Sequence, residues 1–211
     1  MNTDLTTGNT SRLLWAFSIP MLISVAFQQF YNIADSVIAG RFIGEQALAA
    51  VGASYPITMI FMAVAIGSSI GCTVVVSQLF GSKHYAMLKT AVGTICCAGV
   101  VVSLALSLFG IRQDDNLLLL LQTPENIFSD ASLYLHIYIL GFLFLFLYNV
   151  GTGIFTALGD SRTPLYFLIG SSLGNIALDL LFVIAFDMGV AGVAWATFLA
   201  QGIACVLALI T

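Results

Sequence analysis

Leu13 to Gly40 reads LLWAFSIPMLISVAFQQFYNIADSVIAG, 28 residues in which Asp35 is the one charged side chain. A helix rises ~1.5 Å per residue and the hydrocarbon core of a bilayer is ~30 Å thick, so this run is long enough to span it. Gln28, Asn32 and Asp35 fall at i, i+4 and i+7, on one helical face. A carboxylate near the middle of a membrane helix costs roughly 2.5–3.5 kcal/mol. A chain that keeps one there, beside two amides, is using it. Pro20 lies in the same run; it removes one backbone hydrogen bond and marks an expected hinge.

The rest of the chain repeats the pattern. Of its residues 60% are hydrophobic and 8% charged, with mean hydropathy +1.05, against about 25% charged in soluble domains. The fold class is therefore an all-α integral membrane protein. A polar tail over 1–12 precedes a lobe over 13–211, with six transmembrane helices expected at about 13–39, 47–80, 86–110, 124–158, 164–186 and 190–211. Arg112, Asp114 and Asp115 mark water, and Leu117–Leu121 reads as a short interfacial turn. Thr123-Pro124-Glu125 reads as a helix start. Two Gly-x-x-x-Gly spacings, Gly67/Gly71 and Gly170/Gly174, predict close helix packing. The first apolar run is too long for the core of a signal peptide. Cys72, Cys96, Cys97 and Cys205 all lie in apolar runs and read as small buried hydrophobes.

Charge sets the orientation. With the N-terminus inside, the inner segments hold Arg12, Lys83, Lys89 and Arg162, and the outer ones only Arg41 and Arg112. Lys and Arg favour the cytoplasmic side, so both termini are expected there. The net charge of −4 and the lack of a basic patch argue against nucleic acid as a partner.

Two acids remain within spans, Asp35 and Asp179. Ser172, Asn175 and Asp179 again share a face at i, i+3 and i+7. Asn149 and Thr197 add neutral oxygens in other spans. Two ionised, unshielded acids would cost ~5–7 kcal/mol, so proton uptake, a bound cation or a hydrated cavity must offset them. Carboxylate, amide and hydroxyl oxygens suit a hard cation such as Na⁺, and a carboxylate alone suits H⁺. From the residues alone this points to an ion-coupled transporter. A lone amide or hydroxyl in a membrane helix is more often interhelical glue than a ligand. His136 reads as an interfacial or interhelical hydrogen-bonding residue, and Trp15 and Trp195 as interface anchors.

The runs IPMLISVAFQQFYNIADSVIAGRFIG, ALAAVGASYP, GDSRTP and NIALD, in that order and spacing, resemble the N-terminal half of a multidrug and toxic compound extrusion (MATE) transporter of the prokaryotic branch. The resemblance covers essentially the whole chain from Leu13. It implies a bacterial cytoplasmic membrane protein, an antiporter that exports cationic or amphipathic drugs against entry of Na⁺ or H⁺, with no other cofactor. It implies cation ligands at Asp35, Asn175, Asp179 and Thr197. The two acids would be the metal ligands if the ion is Na⁺. Gln28, Asn32 and Asn149 would line the cavity and Pro20 would be the bend. Family members carry two lobes of six helices. One lobe here implies either a missing C-terminal lobe or a homodimer.

Other readings are a non-transporting membrane fragment and a flippase for lipid-linked precursors. The flippase would need a basic cavity, and the spans hold no Lys or Arg. An enzyme, as an intramembrane aspartyl protease, needs Tyr-Asp and Gly-x-Gly-Asp contexts. Asp35 follows Ala34 and Asp179 follows Ala177-Leu178, so no enzyme is expected.

Overall fold

The computed structural model describes residues 10–211. The tail expected at 1–12 falls almost wholly outside that range, and the side chains of Thr10, Arg12 and Asn32 lie outside the description too. Seven α-helices follow in order: α1 (Thr10–Ile38), α2 (Glu45–Gly81), α3 (Tyr85–Leu120), α4 (Glu125–Leu140), α5 (Phe142–Ala157), α6 (Arg162–Leu180) and α7 (Gly189–Ile210). Single π-helical turns, Ala39–Ile43 and Leu181–Ala185, extend α1 and α6. No strand occurs among the described residues. α4 and α5 meet at Gly141 with a 47° bend. Counted as one broken span they bring the apolar, membrane-length helices to six. The chain is thus an all-α, multi-pass membrane protein.

Three local outcomes differ from the sequence reading. The fourth helix, expected unbroken over 124–158, divides at Gly141, where an added Cβ would sit 3.1 Å from the Phe198 ring. The third helix does not stop at 110. It runs to Leu120 and takes Leu117–Leu120 as its last turn. At ~1.5 Å per residue its 36 residues reach well past a ~30 Å core, so Arg112, Asp114 and Asp115 ride on a helix end. Partners on α4 hold that end: Asp114 meets His136 Nδ1 at 2.7 Å, and the Ser132 hydroxyl donates to Asp115 at 2.6 Å. His136 is therefore an interhelical partner. Finally, Gly67, Gly71, Gly170 and Gly174 face open space, and a Cβ on any of them would meet nothing within 4 Å. Close approach occurs at Gly110 and Gly153 instead.

Two packing regions result. On one side α2 lies along α3, α4 and α5. Phe61 and Phe142 pack edge to face at 5.0 Å, and Phe146 continues the stack at 5.8 Å. Gly110 lets α3 approach this cluster; a Cβ there would lie 2.7 Å from Phe61 and 2.9 Å from Ile139. α2 and α5 are joined by hydroxyls. Ser69 Oγ donates to Asn149 O at 2.6 Å and Thr73 Oγ1 to Gly153 O at 3.1 Å. A Cβ on Gly153 would strike Ser69 Oγ at 2.5 Å. On the other side α6 packs on α7 and α1. α1 keeps most of its apolar residues outward, Leu14, Trp15, Leu22 and Phe30 among them, as a lipid-facing surface requires. Trp195, read as an interface anchor, is half-buried and packs on Phe198 at 5.1 Å.

α6 begins with a side-chain cap. Asp160 Oδ1 accepts the N–H groups of Arg162 and Thr163 at 3.0 and 3.1 Å, and Oδ2 accepts the Thr163 hydroxyl at 2.7 Å. This satisfies two otherwise orphaned amides of the helix start.

Candidate cation site

The polar residues of α1 and α6 recur at helical spacing, so packing these helices together sets one polar face against the other. α7 supplies the third wall. Asp179 is wholly buried, Asn175 and Thr197 are buried, and Asp35 is half-buried. The Asp35 carboxyl neighbours the Asp179 carboxyl and the Tyr31 hydroxyl one turn back on α1. The Tyr31 hydroxyl sits 3.4 Å from Thr197 Oγ1, and Asn175 Nδ2 donates to the same oxygen at 3.4 Å. Tyr134 of α4 lies in the neighbourhood of both carboxyls and packs beside Ile38, Ala39 and Val193.

Four acceptor oxygens in this cluster have no hydrogen-bond partner among the described residues: Asp35 Oδ1, Asn175 Oδ1 and both oxygens of Asp179. Buried acceptors are normally paired. Two ionised carboxylates side by side repel, and burial raises the cost of each charge. The arrangement is relieved when one positive charge lies between the acids, either a proton held by one of them or a monovalent cation taken by the free oxygens. The donor set is all oxygen, which fits a hard cation.

Asp35, Asn175, Asp179 and Thr197 thus meet at one point. Gln28 and Asn149 do not join them. They line an adjoining cleft of about 80 Å³ with Tyr31, Tyr148, Ser172 and Asn175. Asn149 Nδ2 donates to Leu145 O on its own helix at 2.8 Å. Asn32 lies outside the described side chains. α1 passes through Pro20 as continuous helix, and the Ser24 hydroxyl donates to Pro20 O at 2.9 Å. Sequence reasoning missed Tyr31 and Tyr134. Tyr31 was within reach, since it stands four residues before Asp35 on the same face. Tyr134 carried no local signal; only the fold brings α4 to the acids.

Known proteins match this chain over most of its own length. The MatE family model matches residues 20–181. The probable multidrug resistance protein YpnP of Bacillus subtilis is 34% identical over 201 residues, covering 95% of this chain and 45% of YpnP. The probable multidrug resistance protein YoeA of the same organism is 30% identical over 190 residues, covering 88% of this chain and 41% of YoeA. A solved outward-facing MATE transporter superposes with a TM-score of 0.90 at 24% identity, over 95% of this chain and 44% of that one. The chain spans somewhat under half the length of these relatives.

Proposed function

The chain belongs to the MatE family of multidrug efflux transporters, and from that premise we propose that it forms a cation-coupled antiporter lobe. It exchanges Na⁺ or H⁺ for a cationic or amphipathic drug. The observation that carries the reading is the Asp35–Asp179 pair with its unpartnered oxygens. Without a positive charge between them the two carboxylates push α1 away from α6. A proton or cation at the pair removes that repulsion and lets α1 dock. Asp35 and Asp179 carry the charge, Asn175 supplies a neutral oxygen, and Thr197 and Tyr31 hold the geometry. Gln28 and the cleft beside it offer a polar wall to a drug. Coupling one cation to ~100 mV supplies ~2.3 kcal/mol, which supports a gradient of about fiftyfold for an uncharged drug; a monovalent cationic drug exchanged one for one moves no net charge and is driven by the cation's concentration gradient alone.

Both termini stand on the cytoplasmic side of a bacterial plasma membrane in this reading, with Lys83 and Lys89 inside. A cysteine placed at 115 in a cysteine-free background reacts with an impermeant thiol reagent added outside, and one at 83 does not. The reverse pattern would overturn the orientation. Six spans return the chain to its starting side, so the second lobe is supplied either by a C-terminal half or by a second copy in the same orientation. The flippase reading is weaker, because among the described residues no Lys or Arg lines the cleft beside the acid pair.

Efflux of a lipophilic cation from proteoliposomes under an imposed Na⁺ or H⁺ gradient tests the proposal, with a two-lobed relative as positive control. Efflux lost in both Asp35→Asn and Asp179→Asn supports it. Efflux unchanged in both would place the coupling site elsewhere. A parent chain that binds cations at the pair but moves no drug would be a non-transporting lobe.

A further inference from the structure

One turn beyond the acid pair, the three helices that hold it are joined by an apolar layer. Ile38 and Ala39 stand three and four residues past Asp35, Val183 four past Asp179, and Val193 four before Thr197 on α7, which runs back along α6. Helical spacing sets these residues on the site's own face, roughly one turn further along. They form one buried cluster, with Ile43, Ile176 and Tyr134 packed against it. Ala39 and Val193 are each 1% exposed. On the other side of the acids along the helix axes lies the polar cleft of Gln28, Tyr31, Ser172 and Asn175. The pair therefore sits between a polar side and an apolar one.

The apolar layer is built on the ends of two helices. α1 and α6 both stop within it, in the wide turns Ala39–Ile43 and Leu181–Ala185. Each turn is closed by a bond that reaches back five residues: Gly44 N–H donates to Ala39 O at 3.1 Å, and Phe186 N–H to Leu181 O at 3.2 Å. The last carbonyls of a helix lack partners within it, and helix ends open locally at the least cost. The two turns touch each other. α7 closes on the second through Gly192, where a Cβ would lie 3.3 Å from the Phe182 carbonyl carbon. Repulsion between two ionised carboxylates acts on this layer first, because its residues stand one turn from the charges on both helices. We propose that these helix ends form a gate controlled by the coupling cation. With both acids ionised and no cation between them, the layer parts at Ala39 and Val183. It admits the cation from the end of the bundle marked by Gly44 and Asp187, and closes once the cation is bound. The gate rests on the acid pair being the coupling site, and adds a route to that site.

Thiol labelling of the full chain in lipid nanodiscs tests this. In a cysteine-free background, Ala39→Cys and Val183→Cys are treated with a small charged thiol reagent at constant alkaline pH, with Asp115→Cys as the exposed reference. A cation that holds the gate shut lowers its open population by one plus the ratio of concentration to Kd. Labelling at both positions should therefore slow about elevenfold with Na⁺ at about ten times Kd, and the reference should not change. Adding Asp35→Asn and Asp179→Asn should give the slow rate without Na⁺, because no charge is left to part the layer; this arm reads a proton-coupled pair as well. Val183→Ala with Val193→Ala thins the layer. It should speed cation uptake and release by the same factor and leave Kd unchanged, a kinetic split that damage to the site itself would not give. Labelling that ignores both Na⁺ and the Asn substitutions would overturn the gate while cation binding at the pair still stands. So would unchanged exchange rates in the double Ala variant, which would route the cation through the Gln28 cleft. Sodium and proton binding that survives Asp35→Asn/Asp179→Asn would remove the coupling site, and the gate with it.

Discussion

The α2–α3–α5 side and the α1–α6–α7 side of this lobe are built from similar helices but treat polar groups in opposite ways. On the first side the hydroxyls of α2 that reach α5 find carbonyls, and Ser107 Oγ on α3 is a buried exception. Ser69 and Thr73 of α2 bond α5, and Gly153 lets the two backbones close on each other. On the second side the largest polar groups are left short. Both oxygens of Asp179, one of Asp35 and one of Asn175 have no donor among the described residues. Hydrogen-bonded helices with a glycine contact have one good packing. Helices that meet across two acids have a packing that depends on what charge lies between them. The first region is a frame, and the second is the part that can respond to an ion.

That contrast can be broken most severely at the acids. In the parent, saturating coupling ion should raise thermal stability. At 100 times the dissociation constant the gain is about 2.7 kcal/mol. In Asp179→Asn the gain should vanish while the ion-free protein stays folded, because an amide keeps the shape without the charge. Thermal melts with and without Na⁺, and at stepped pH, read this out. Thr197→Ala should reduce the gain without abolishing it, since it removes one neutral oxygen.

The frame should fail differently. Gly153→Val puts a branched side chain against Ser69 and Thr73, and overpacking of this kind costs about 1–3 kcal/mol. Melting should fall by that amount with the ion response intact. Equal losses of the ion response in Gly153→Val and Asp179→Asn would erase the distinction between the two regions.

Smaller effects sharpen it further. At the start of α6, burial pushes the Asp160 carboxyl up. Hydrogen bonds from the Thr163 hydroxyl and the N–H groups of Thr163 and Arg162 outweigh this and hold it below the ordinary carboxylate range. A depressed acid contributes its stability above its unfolded pKa, about 3.9. The contribution is lost as pH falls through the lower folded value. Asp160→Ala should cost about 1 kcal/mol at neutral pH, and the difference from the parent should close below about pH 4. Smallest of all, Gly170→Ala meets open space and should be neutral or stabilising by up to about 1 kcal/mol.

The acids and their neighbours were legible in the sequence because a charge inside a membrane span is costly and helical spacing puts Gln28, Asn32 and Asp35, or Ser172, Asn175 and Asp179, on one face. Six spans were legible for the same reason, since apolar length maps onto bilayer thickness. Local signals failed where tertiary partners decide. Asp114 looked like a helix end, but His136, 22 residues later, lets α3 continue. Gly141 gave no warning of the break, because the bend answers to Phe198 across the lobe. The Gly-x-x-x-Gly spacings named the wrong glycines, because spacing records a small face but not whether a helix lies against it. Tyr134 entered the site only through the packing of α4.

The central claim is that the Asp35–Asp179 pair holds one coupling cation. Its most direct test compares the purified parent with the Asp35→Asn/Asp179→Asn double variant in lipid nanodiscs. Proton uptake is followed by titration and Na⁺ by equilibrium binding of radioactive sodium. The account predicts that the parent binds one more cation, H⁺ or Na⁺, than the double variant over neutral pH. Identical proton and sodium binding by the two proteins would contradict it.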